Sequence, residues 1–367
     1  MILINDFQAE PPALRDAMLA AVARVLQSGW YILGTEVQAF EREWARVCGV
    51  AHAVGAANGT DAIEIALRSL DIGPGDEVVT TPMTAFATVL AIIRAGATPV
   101  LADIEAETAL LSLDSVERCL SSKTKAVVLV HLYGQVRDMP AWQQFCARHG
   151  VALVEDCAQA HLATLGGKVA GSFGRVGAYS FYPTKNLGAP GDAGALVTDD
   201  PALAQRASRL RNYGQSVRYH HPELGMNSRL DELQAAILRE RLQWLEGFTA
   251  RRREIARSYL EAMRNPQVRL QARPAEASAH VYHLFVVTCP QRQALQAHLQ
   301  RSGVESLIHY PIPVHQQEPC RDIGRDPQGL RTSERHAASC LSLPCHPQMS
   351  NADVQAVIDA VNAFHND

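Results

Sequence analysis

The chain has 367 residues, of which 47% are hydrophobic and 20% are charged, and its formal net charge at pH 7 is -4. This length predicts two domains, and the slight acidic excess gives no support for a nucleic-acid partner, which would favour a basic face. No apolar run is long enough to span a membrane, the N-terminus lacks a signal-peptide pattern, and the eight cysteines form no C-x-x-C pair. We therefore expect a cytoplasmic protein with reduced thiols, no metal site and no membrane contact.

Apolar residues first recur with the helical period and then alternate between buried strands and helices. The predicted elements are helices 13–28 and 36–47, strand 76–81, helix 86–95, strand 98–103, strand 126–131, helix 139–149, strand 151–154 and strand 194–198. Continuous apolar strands separated by helices indicate an α/β fold with a mainly parallel sheet covered on both faces. Ligands of such sheets lie beyond the carboxyl ends of the strands. Because Phe86, Asp156 and the segment around Lys185 follow strand ends, we expect them to converge on one site.

The predicted start of a helix at Asp61 is a candidate phosphate-binding site. Asp61 with Glu64 three residues later predicts the beginning of a helix. Just before it, the segment Asn58-Gly59-Thr60 presents backbone N–H groups and a hydroxyl at a positive helix end. Taken alone this pattern is a weak signal, because many helices begin in this way without binding a ligand.

The last third of the chain predicts a smaller α+β domain. Its elements are helices 251–263, 291–302 and 351–364 and a strand at 282–288, and they follow a long helix at 230–245. The basic run Arg251–Arg253 is expected to form a solvated helix face. We predict a large cofactor-binding domain at residues 1–248, whose N-terminal segment has room to pack on the small domain, and a small domain at 249–367.

One lysine stands out in the segment from Ala178 to Gly194. Lys185 has no charged residue within six positions on either side, and it lies between a β-prone aromatic run and a glycine-rich loop. A lysine in such surroundings can be desolvated, which lowers its pKa and makes the amine nucleophilic. The alternative is an ordinary lysine of a surface loop, and the rest of the chain has to decide between the two.

A pyridoxal phosphate (PLP) enzyme accounts for these features together. It needs a lysine for the Schiff base, a carboxylate at the pyridine nitrogen, an aromatic side chain on the ring and a helix start for the phosphate. Competing cofactor motifs are missing, since no G-x-G-x-x-G follows a strand and Gly167-Lys168-Val169 lacks the features of a P-loop. The sequence also contains neither H-E-x-x-H nor G-x-S-x-G.

The order of motifs resembles the DegT/DnrJ/EryC1/StrS family of sugar aminotransferases, PLP enzymes of the aspartate aminotransferase fold (fold type I). The resemblance runs from about residue 12 to 350 and is carried by GWYILGTEVQAFEREWA, ANGTDAIEIAL, GPGDEVVTTPMTAFAT, AGATPVLADI, VHLYGQVRDM, VEDCAQAH, YSFYPTKNLGAPGDAGA, GMNSRLDELQAAIL and IHYPIPVH. Nine segments in the same order make the resemblance specific.

The resemblance implies a role for each matching residue. Lys185 is expected to form the Schiff base and move the proton, and Asp156 to hold the pyridine nitrogen. The other implied cofactor residues are Gln159, Phe86, Gly59, Thr60, Ser180 and Asn227, the last reaching the cofactor of a second subunit. The implied residues of the nucleotide-sugar cleft are Tyr31, Arg229, His309, Tyr310 and His315. His161 keeps the family's place after Gln159, either in the site or as a structural histidine.

The lysine and two departures from the family pattern bear on activity. Relatives that remove a hydroxyl have histidine where this chain has Lys185, so the lysine implies amino transfer. Ala193 stands where the family commonly has glycine, and so does Leu162. Each adds bulk where a backbone usually turns freely, but neither removes a catalytic group.

The resemblance also implies a substrate class and partners. YPTKNLG and HLYGQ look most like members that act on dTDP-3-keto-6-deoxyhexoses, so we expect amination at C3 with L-glutamate as the donor. A UDP- or GDP-linked keto-sugar, aminated at C3 or C4, is the alternative, and a non-catalytic PLP-binding regulator is a further one. The shared site implies a homodimer.

Overall fold

The computed structural model describes residues 1–365. The helices are α1 Pro12–Ser28, α2 Thr35–Cys48, α3 Gly59–Ser69, α4 Phe86–Arg94, α5 Leu113–Cys119, α6 Met139–His149, α7 Pro201–Leu210, α8 Glu232–Leu242, α9 Leu245–Ala262, α10 Arg292–Arg301, α11 Arg331–Ser339 and α12 Asn351–Asn362. The strands are β1 His52–Ala56, β2 Glu77–Thr80, β3 Thr98–Leu101, β4 Thr124–Val130, β5 Ala152–Asp156, β6 Thr164–Leu165, β7 Lys168–Val169, β8 Val176–Ser180, β9 Gly194–Thr198, β10 Phe285–Thr288, β11 Gly324–Arg325 and β12 Cys340–Leu343.

An eight-stranded sheet forms the centre of the molecule. Its strand order is β1-β9-β8-β5-β4-β2-β3-β11, and the neighbouring pairs from β8 to β11 are parallel. Strand β9 runs antiparallel to both β8 and β1. The carboxyl ends of β5 and β8, which carry Asp156 and Ser180, therefore meet at one edge of the sheet.

Helices cover both faces of this sheet, as continuous apolar strands require. Strand β4, Thr-Lys-Ala-Val-Val-Leu-Val, is buried except at Lys125. Its alternate residues enter two separate cores: Val127 and Leu129 pack with α2 and α6, whereas Ala126 and Val128 pack with α3 and α7. The predicted α/β fold with a mainly parallel sheet is confirmed.

The C-terminal part forms a smaller layer around the antiparallel pair β10–β12. Its core comes from α9, α10 and α12, and Ile2 packs against it and pairs with Val304. Strand β11, from the same part of the chain, adds to the edge of the large sheet beside β3. The division at residue 248 stays a prediction.

Helix α3 begins two residues earlier than the sequence pattern indicates. Its N-cap is Asn58, whose Oδ1 accepts a hydrogen bond from the backbone N–H of Asp61 at 2.9 Å. Asp61 lies inside the first turn and forms an ion pair with Arg94 at 2.9 Å. Gly59 and Thr60 are therefore the first two residues of the helix, so their N–H groups have no helical carbonyl to bond.

The expectation of a solvated face at Arg251–Arg253 is wrong for its middle residue. Arg252 is buried, and its Nη1 donates to the carbonyl of Cys345 at 2.7 Å and to the carbonyls of Tyr282 and His283 at 3.3 Å. Burial lowers the pKa of this guanidinium. Three carbonyls from two segments satisfy the buried cation, which explains why a charge run gave a misleading signal.

No helix among residues 1–365 combines the length and apolar character needed to cross a membrane. All eight cysteines are free and buried.

Candidate active site

Lys185 lies in the loop between β8 and β9. Its backbone N–H donates to the carbonyl of Tyr182 at 2.8 Å, which closes a tight turn. The next glycine, Gly188, passes so close to this turn that a Cβ there would lie 2.3 Å from the carbonyl oxygen of Pro183. The half-buried lysine is thus presented from a rigid loop. Burial lowers the pKa of its amine from 10.5 to about 8, although the Asp156 carboxylate opposes this shift.

Asp156 ends β5 and is 5% exposed. One carboxylate oxygen accepts the Thr88 hydroxyl at 2.8 Å, and the other accepts the backbone N–H of Ala158 at 3.1 Å. The Thr88 hydroxyl donates its hydrogen bond to the carboxylate. In the contact between Thr84 Oγ1 and Thr88 Oγ1, at 2.8 Å, Thr84 must therefore be the donor. Two donors therefore fix the orientation of the carboxylate.

The glycine and serine predicted to bind phosphate lie side by side. A Cβ on Gly59 would lie only 2.6 Å from the Cβ of Ser180, so a residue other than glycine would collide there. Thr60 follows in the first turn of α3. Ala57 lies just before the N-cap, and its backbone N–H donates to Ser228 Oγ at 3.0 Å. The free N–H groups, the hydroxyl and the helix dipole together suit a phosphate.

These features fit PLP. The cradle at Gly59 and Ser180 can seat the phosphate, Asp156 can hold the proton of the pyridine nitrogen, and Lys185 can bond the aldehyde carbon. Phe86, the first residue of α4, is 37% exposed, so part of the residue is accessible to a cofactor ring. When bound, PLP draws electrons from the carbon that carries the amino group and so makes the proton on that carbon acidic.

Gln159 is held between two tyrosines. Its Oε1 accepts the backbone N–H of Tyr133 at 2.6 Å, and its Nε2 lies 3.3 Å from Tyr310 Oη. Burial and the nearby Asp156 raise the pKa of Tyr310 to about 12, so its hydroxyl keeps its proton at neutral pH. Gln159 and Tyr310, predicted for cofactor and sugar respectively, are thus in direct contact.

Neutral imidazoles surround the lysine. Burial lowers the pKa of His161 to about 3 and that of His309 to about 4, and it lowers that of His283 well below its usual range; the Lys185 amine adds to each shift. His161 packs against aromatic rings of the core, and its Nδ1 accepts the backbone N–H of Leu187 at 3.0 Å. It therefore helps to hold the lysine loop, which is a structural role.

The other predicted substrate residues occupy three places. Tyr31 is 48% exposed, and its carbonyl accepts the backbone N–H of Glu232 at 3.1 Å. Arg229 is half-buried, with its guanidinium 5.3 Å from the ring centre of Tyr213. His315 is buried, and its Nε2 lies 3.1 Å from Glu334 Oε1. Contacts thus bring His309 and Tyr310 to the cofactor side, whereas His315 is turned toward Glu334.

Asn227 is exposed, and its side chain forms no hydrogen bond with any residue from 1 to 365. The neighbouring Ser228 is the residue that accepts the N–H of Ala57 beside the phosphate cradle. The amide of Asn227 is therefore free to meet a group outside its own chain.

The two departures from the family pattern have different consequences. Leu162 adopts a φ of 65°, a left-handed conformation that glycine reaches more easily. Ala193 has no such φ, and its carbonyl accepts the N–H of Phe181 at 2.8 Å within the sheet. Only position 162 therefore carries a conformational cost.

Sequence reasoning missed Thr88 and Glu155. Thr88 lies two residues after Phe86 and has no motif of its own. Glu155, fully buried on the opposite sheet face from Asp156, accepts the N–H groups of Gly171, Phe173 and Gly174 and lies 2.8 Å from His131 Nε2. His131, Glu155 and Cys157 also lie close enough to hold a metal ion, but these donors already occupy the carboxylate. Glu155 anchors the loop that precedes β8.

We expect covalent attachment of PLP to the apoprotein to accelerate as pH rises through about 8. Attachment needs the neutral amine, and a pKa of about 8 leaves roughly a tenth of Lys185 neutral at pH 7 and most of it neutral at pH 9. With an ordinary lysine pKa, the rate of attachment would rise at a pH more than two units higher. Stopped-flow absorbance of the bound cofactor measures the rate, and a rate still rising steeply above pH 9.5 would contradict the lowered pKa.

We expect Thr88→Val to lower kcat about 10- to 100-fold, because a hydrogen bond to a charged group contributes about 1.5–3 kcal/mol. The change keeps the side-chain shape and removes one donor from the Asp156 carboxylate. Steady-state kinetics measures the effect. Thr80→Val is the matched control, since Thr80 is also buried but donates to the carbonyl of Val128. Equal losses in the two variants would show that Thr88 acts only through stability.

The chain is similar to known sugar aminotransferases over nearly its whole length. The sequence profile of the DegT/DnrJ/EryC1/StrS aminotransferase family matches residues 12–362. The dTDP-3-amino-3,6-dideoxy-alpha-D-galactopyranose transaminase of Aneurinibacillus thermoaerophilus is 45% identical over 94% of each chain. The UDP-N-acetyl-3-dehydro-alpha-D-glucosamine 3-aminotransferase of Acidithiobacillus ferrooxidans is 40% identical over 97% of this chain and 96% of its own. The crystal structure of S. venezuelae DesV in complex with a ketimine intermediate superimposes with a TM-score of 0.94 at 43% identity, covering 99% of this chain and 97% of that one.

Proposed function

Because the chain belongs to the DegT/DnrJ/EryC1/StrS aminotransferase family, we propose that it transfers an amino group to C3 of a dTDP-linked 3-keto-6-deoxyhexose. It is a PLP-dependent aminotransferase that acts on a nucleotide-linked sugar. The identity of the sugar, the amino donor and the oligomeric state are what we propose. The observation that supports amino transfer is the Lys185 amine, whose pKa is lowered, near Asp156 and the phosphate cradle at Gly59 and Ser180.

The chain's own groups supply proton transfer and orientation. The neutral amine of Lys185 would take the proton from the carbon that carries the amino group and, once protonated, would return it to the cofactor carbon bonded to the same nitrogen. A pKa of about 8 suits this exchange, because the group can both accept and release a proton near neutral pH. Asp156, fixed by Thr88, holds the pyridine nitrogen protonated, and the neutral state of His161, His283 and His309 adds no competing cation beside the amine.

Carbon 3 is favoured by the names of both relatives described above. One is named for a dTDP-3-amino sugar and the other for a 3-dehydro sugar aminated at position 3. The segments YPTKNLG and HLYGQ add the resemblance to members that act on dTDP-3-keto-6-deoxyhexoses. The UDP-linked relative makes a UDP-sugar the alternative substrate.

The proposal includes L-glutamate as the donor and a homodimer with shared sites. The exposed amide of Asn227, which has no partner among residues 1–365, supports a contact with the cofactor phosphate of a second subunit. The proposal places the enzyme in the cytoplasm, where its eight free and buried thiols stay reduced. Sedimentation of the PLP-loaded protein tests the dimer, and a monomer at micromolar concentration would refute it.

A substrate panel tests the specificity. The loaded enzyme is mixed with glutamate and, separately, with dTDP-, UDP- and GDP-linked keto-sugars, and the release of 2-oxoglutarate gives kcat/KM for each. We expect the dTDP-3-keto-6-deoxyhexose to have the highest value. A higher value for a UDP- or GDP-linked sugar would transfer the proposal to that nucleotide, and no release with any of them would overturn glutamate as the donor.

A further inference from the structure

Tyr133 stands at the point where the large sheet meets the small layer. It follows β4 with a φ of 61°, and it is 2% exposed. A bulky residue in this left-handed conformation is costly and persists only where its surroundings fix it. The next residue, Gly134, is equally constrained, because a Cβ there would lie 2.7 Å from the carbonyl oxygen of Gln159 and from Val281.

The backbone of Tyr133 sets the orientation of Gln159. Its N–H donates to Gln159 Oε1 at 2.6 Å, which fixes the amide oxygen. The amide nitrogen is therefore turned the other way, toward Tyr310 Oη at 3.3 Å. One backbone group thus decides which face of Gln159 meets the cofactor side of the site.

The hydroxyl of Tyr133 holds the segment that carries His309 and Tyr310. It donates to the carbonyl of His309 at 2.6 Å, and His336 Nε2 lies 2.9 Å from the same oxygen. Burial lowers the pKa of His336 to about 4 and raises that of Tyr133 well above its usual value, so both are neutral. Because the Tyr133 hydroxyl donates its hydrogen bond to the carbonyl of His309, we assign the proton of His336 to Nε2, which then donates to the Tyr133 oxygen.

A second anchor makes the position of His309 specific. Its Nδ1 lies 2.8 Å from the buried Oγ of Ser342 on β12. The backbone of this residue is thus fixed from the large sheet by Tyr133, and its ring is fixed from the small layer by Ser342. The segment is held in two directions before any substrate arrives.

We propose that Tyr133 is a positioning residue for the sugar, fixing Gln159 with its backbone and the His309–Tyr310 segment with its hydroxyl. The inference rests on the proposed function, because it takes the sugar to lie against His309 and Tyr310. It gives a role to the tyrosine of HLYGQ. The hydroxyl touches neither Lys185 nor Asp156, so its loss should affect the sugar and spare the chemistry of the donor.

Tyr133→Phe and Tyr259→Phe form a matched pair that tests this inference. Tyr259 is also fully buried, and its hydroxyl donates to a carbonyl, that of Pro344 at 2.7 Å, within the core of the small layer. We expect Tyr133→Phe to raise the KM for the keto-sugar about tenfold, as loss of one buried hydrogen bond implies, with kcat changed less than threefold. The Kd of the amino-sugar product, measured by calorimetry, should rise by the same factor. Tyr259→Phe should change neither value.

Two further measurements separate this inference from its premise. Wild-type turnover of the keto-sugar tests the proposed function, whereas the ratio of KM between the two variants tests Tyr133. Loss of cofactor absorbance on adding glutamate alone should be equally fast in wild type and Tyr133→Phe. A KM ratio near one, or a slowed reaction with glutamate, would overturn the positioning role. Should Tyr133→Phe not fold, His336→Leu removes the outer partner of the hydroxyl, and an unchanged KM in that variant would overturn the role equally.

Discussion

Replacing Lys185 with alanine is expected to lower kcat by about 10⁴-fold or more, the loss typical of removing a catalytic group. The proposed mechanism gives the amine two tasks, binding the cofactor covalently and moving a proton between carbons, and no other lysine lies in the segment from Ala178 to Gly194. Of the groups around it, the histidines at 161, 283 and 309 are neutral with pKa values far below 7, so none is suited to accept the proton near neutral pH.

The variant should fold and assemble like the wild type. A half-buried amine whose pKa is lowered is less favourable when charged, so its removal is expected to leave the melting temperature unchanged or raise it slightly. Single-turnover kinetics with added methylamine is the sharpest test, since a small amine can partly replace the missing one. Lys168→Ala, at the exposed first residue of β7, is the control and should retain full activity. Turnover of Lys185→Ala near the wild-type rate would refute the role of the lysine.

Asp156→Asn is expected to lower kcat by about 10²–10³-fold, the loss seen when one electrostatic stabiliser of a reaction is removed. The amide keeps the size of the side chain, but it cannot hold a proton on the pyridine nitrogen. The cofactor then draws electrons less strongly, and the proton on the reacting carbon is less acidic.

The same change removes one of the two hydrogen bonds to this side chain. An amide oxygen can still accept from Thr88, but the amide NH2 cannot accept the N–H of Ala158, so the melting temperature should fall by a few degrees. The absorbance of bound PLP should shift, because its ring nitrogen loses a proton. Asp138→Asn, at an exposed aspartate paired with Arg137, is the control. A wild-type rate in Asp156→Asn would remove this carboxylate from the mechanism.

Periodicity and motifs predicted the fold, because inner strands of the parallel sheet such as β4 are nearly continuous apolar runs, whereas the exposed edge strand β11 has no such signal. The lysine loop and Asp156 were also predictable, since uncharged surroundings and the end of a buried strand are visible in the sequence. The resemblance to a known family supplied the remaining residue roles, which spacing alone does not contain. The family and the fold are confirmed, whereas the individual site roles remain predictions that the variants above test.

Contacts between distant segments could not be predicted. Thr88 meets Asp156 across 68 positions, and Tyr133 meets His309 across 176. Neither tyrosine nor threonine carries a local signal for such a contact. For Arg252 a local signal was present but misleading. Its neighbours Arg251 and Arg253 suggested a solvated run, whereas the buried Arg252 guanidinium donates hydrogen bonds to three carbonyls.

The position of the new amine tests the central claim most directly. The loaded enzyme is incubated with a dTDP-3-keto-6-deoxyhexose and ¹⁵N-labelled glutamate, and a proton–nitrogen correlation spectrum locates the label on the sugar. We predict that ¹⁵N appears on C3. Label on C4 alone, or a sugar that stays unlabelled while the glutamate remains intact, would contradict the claim.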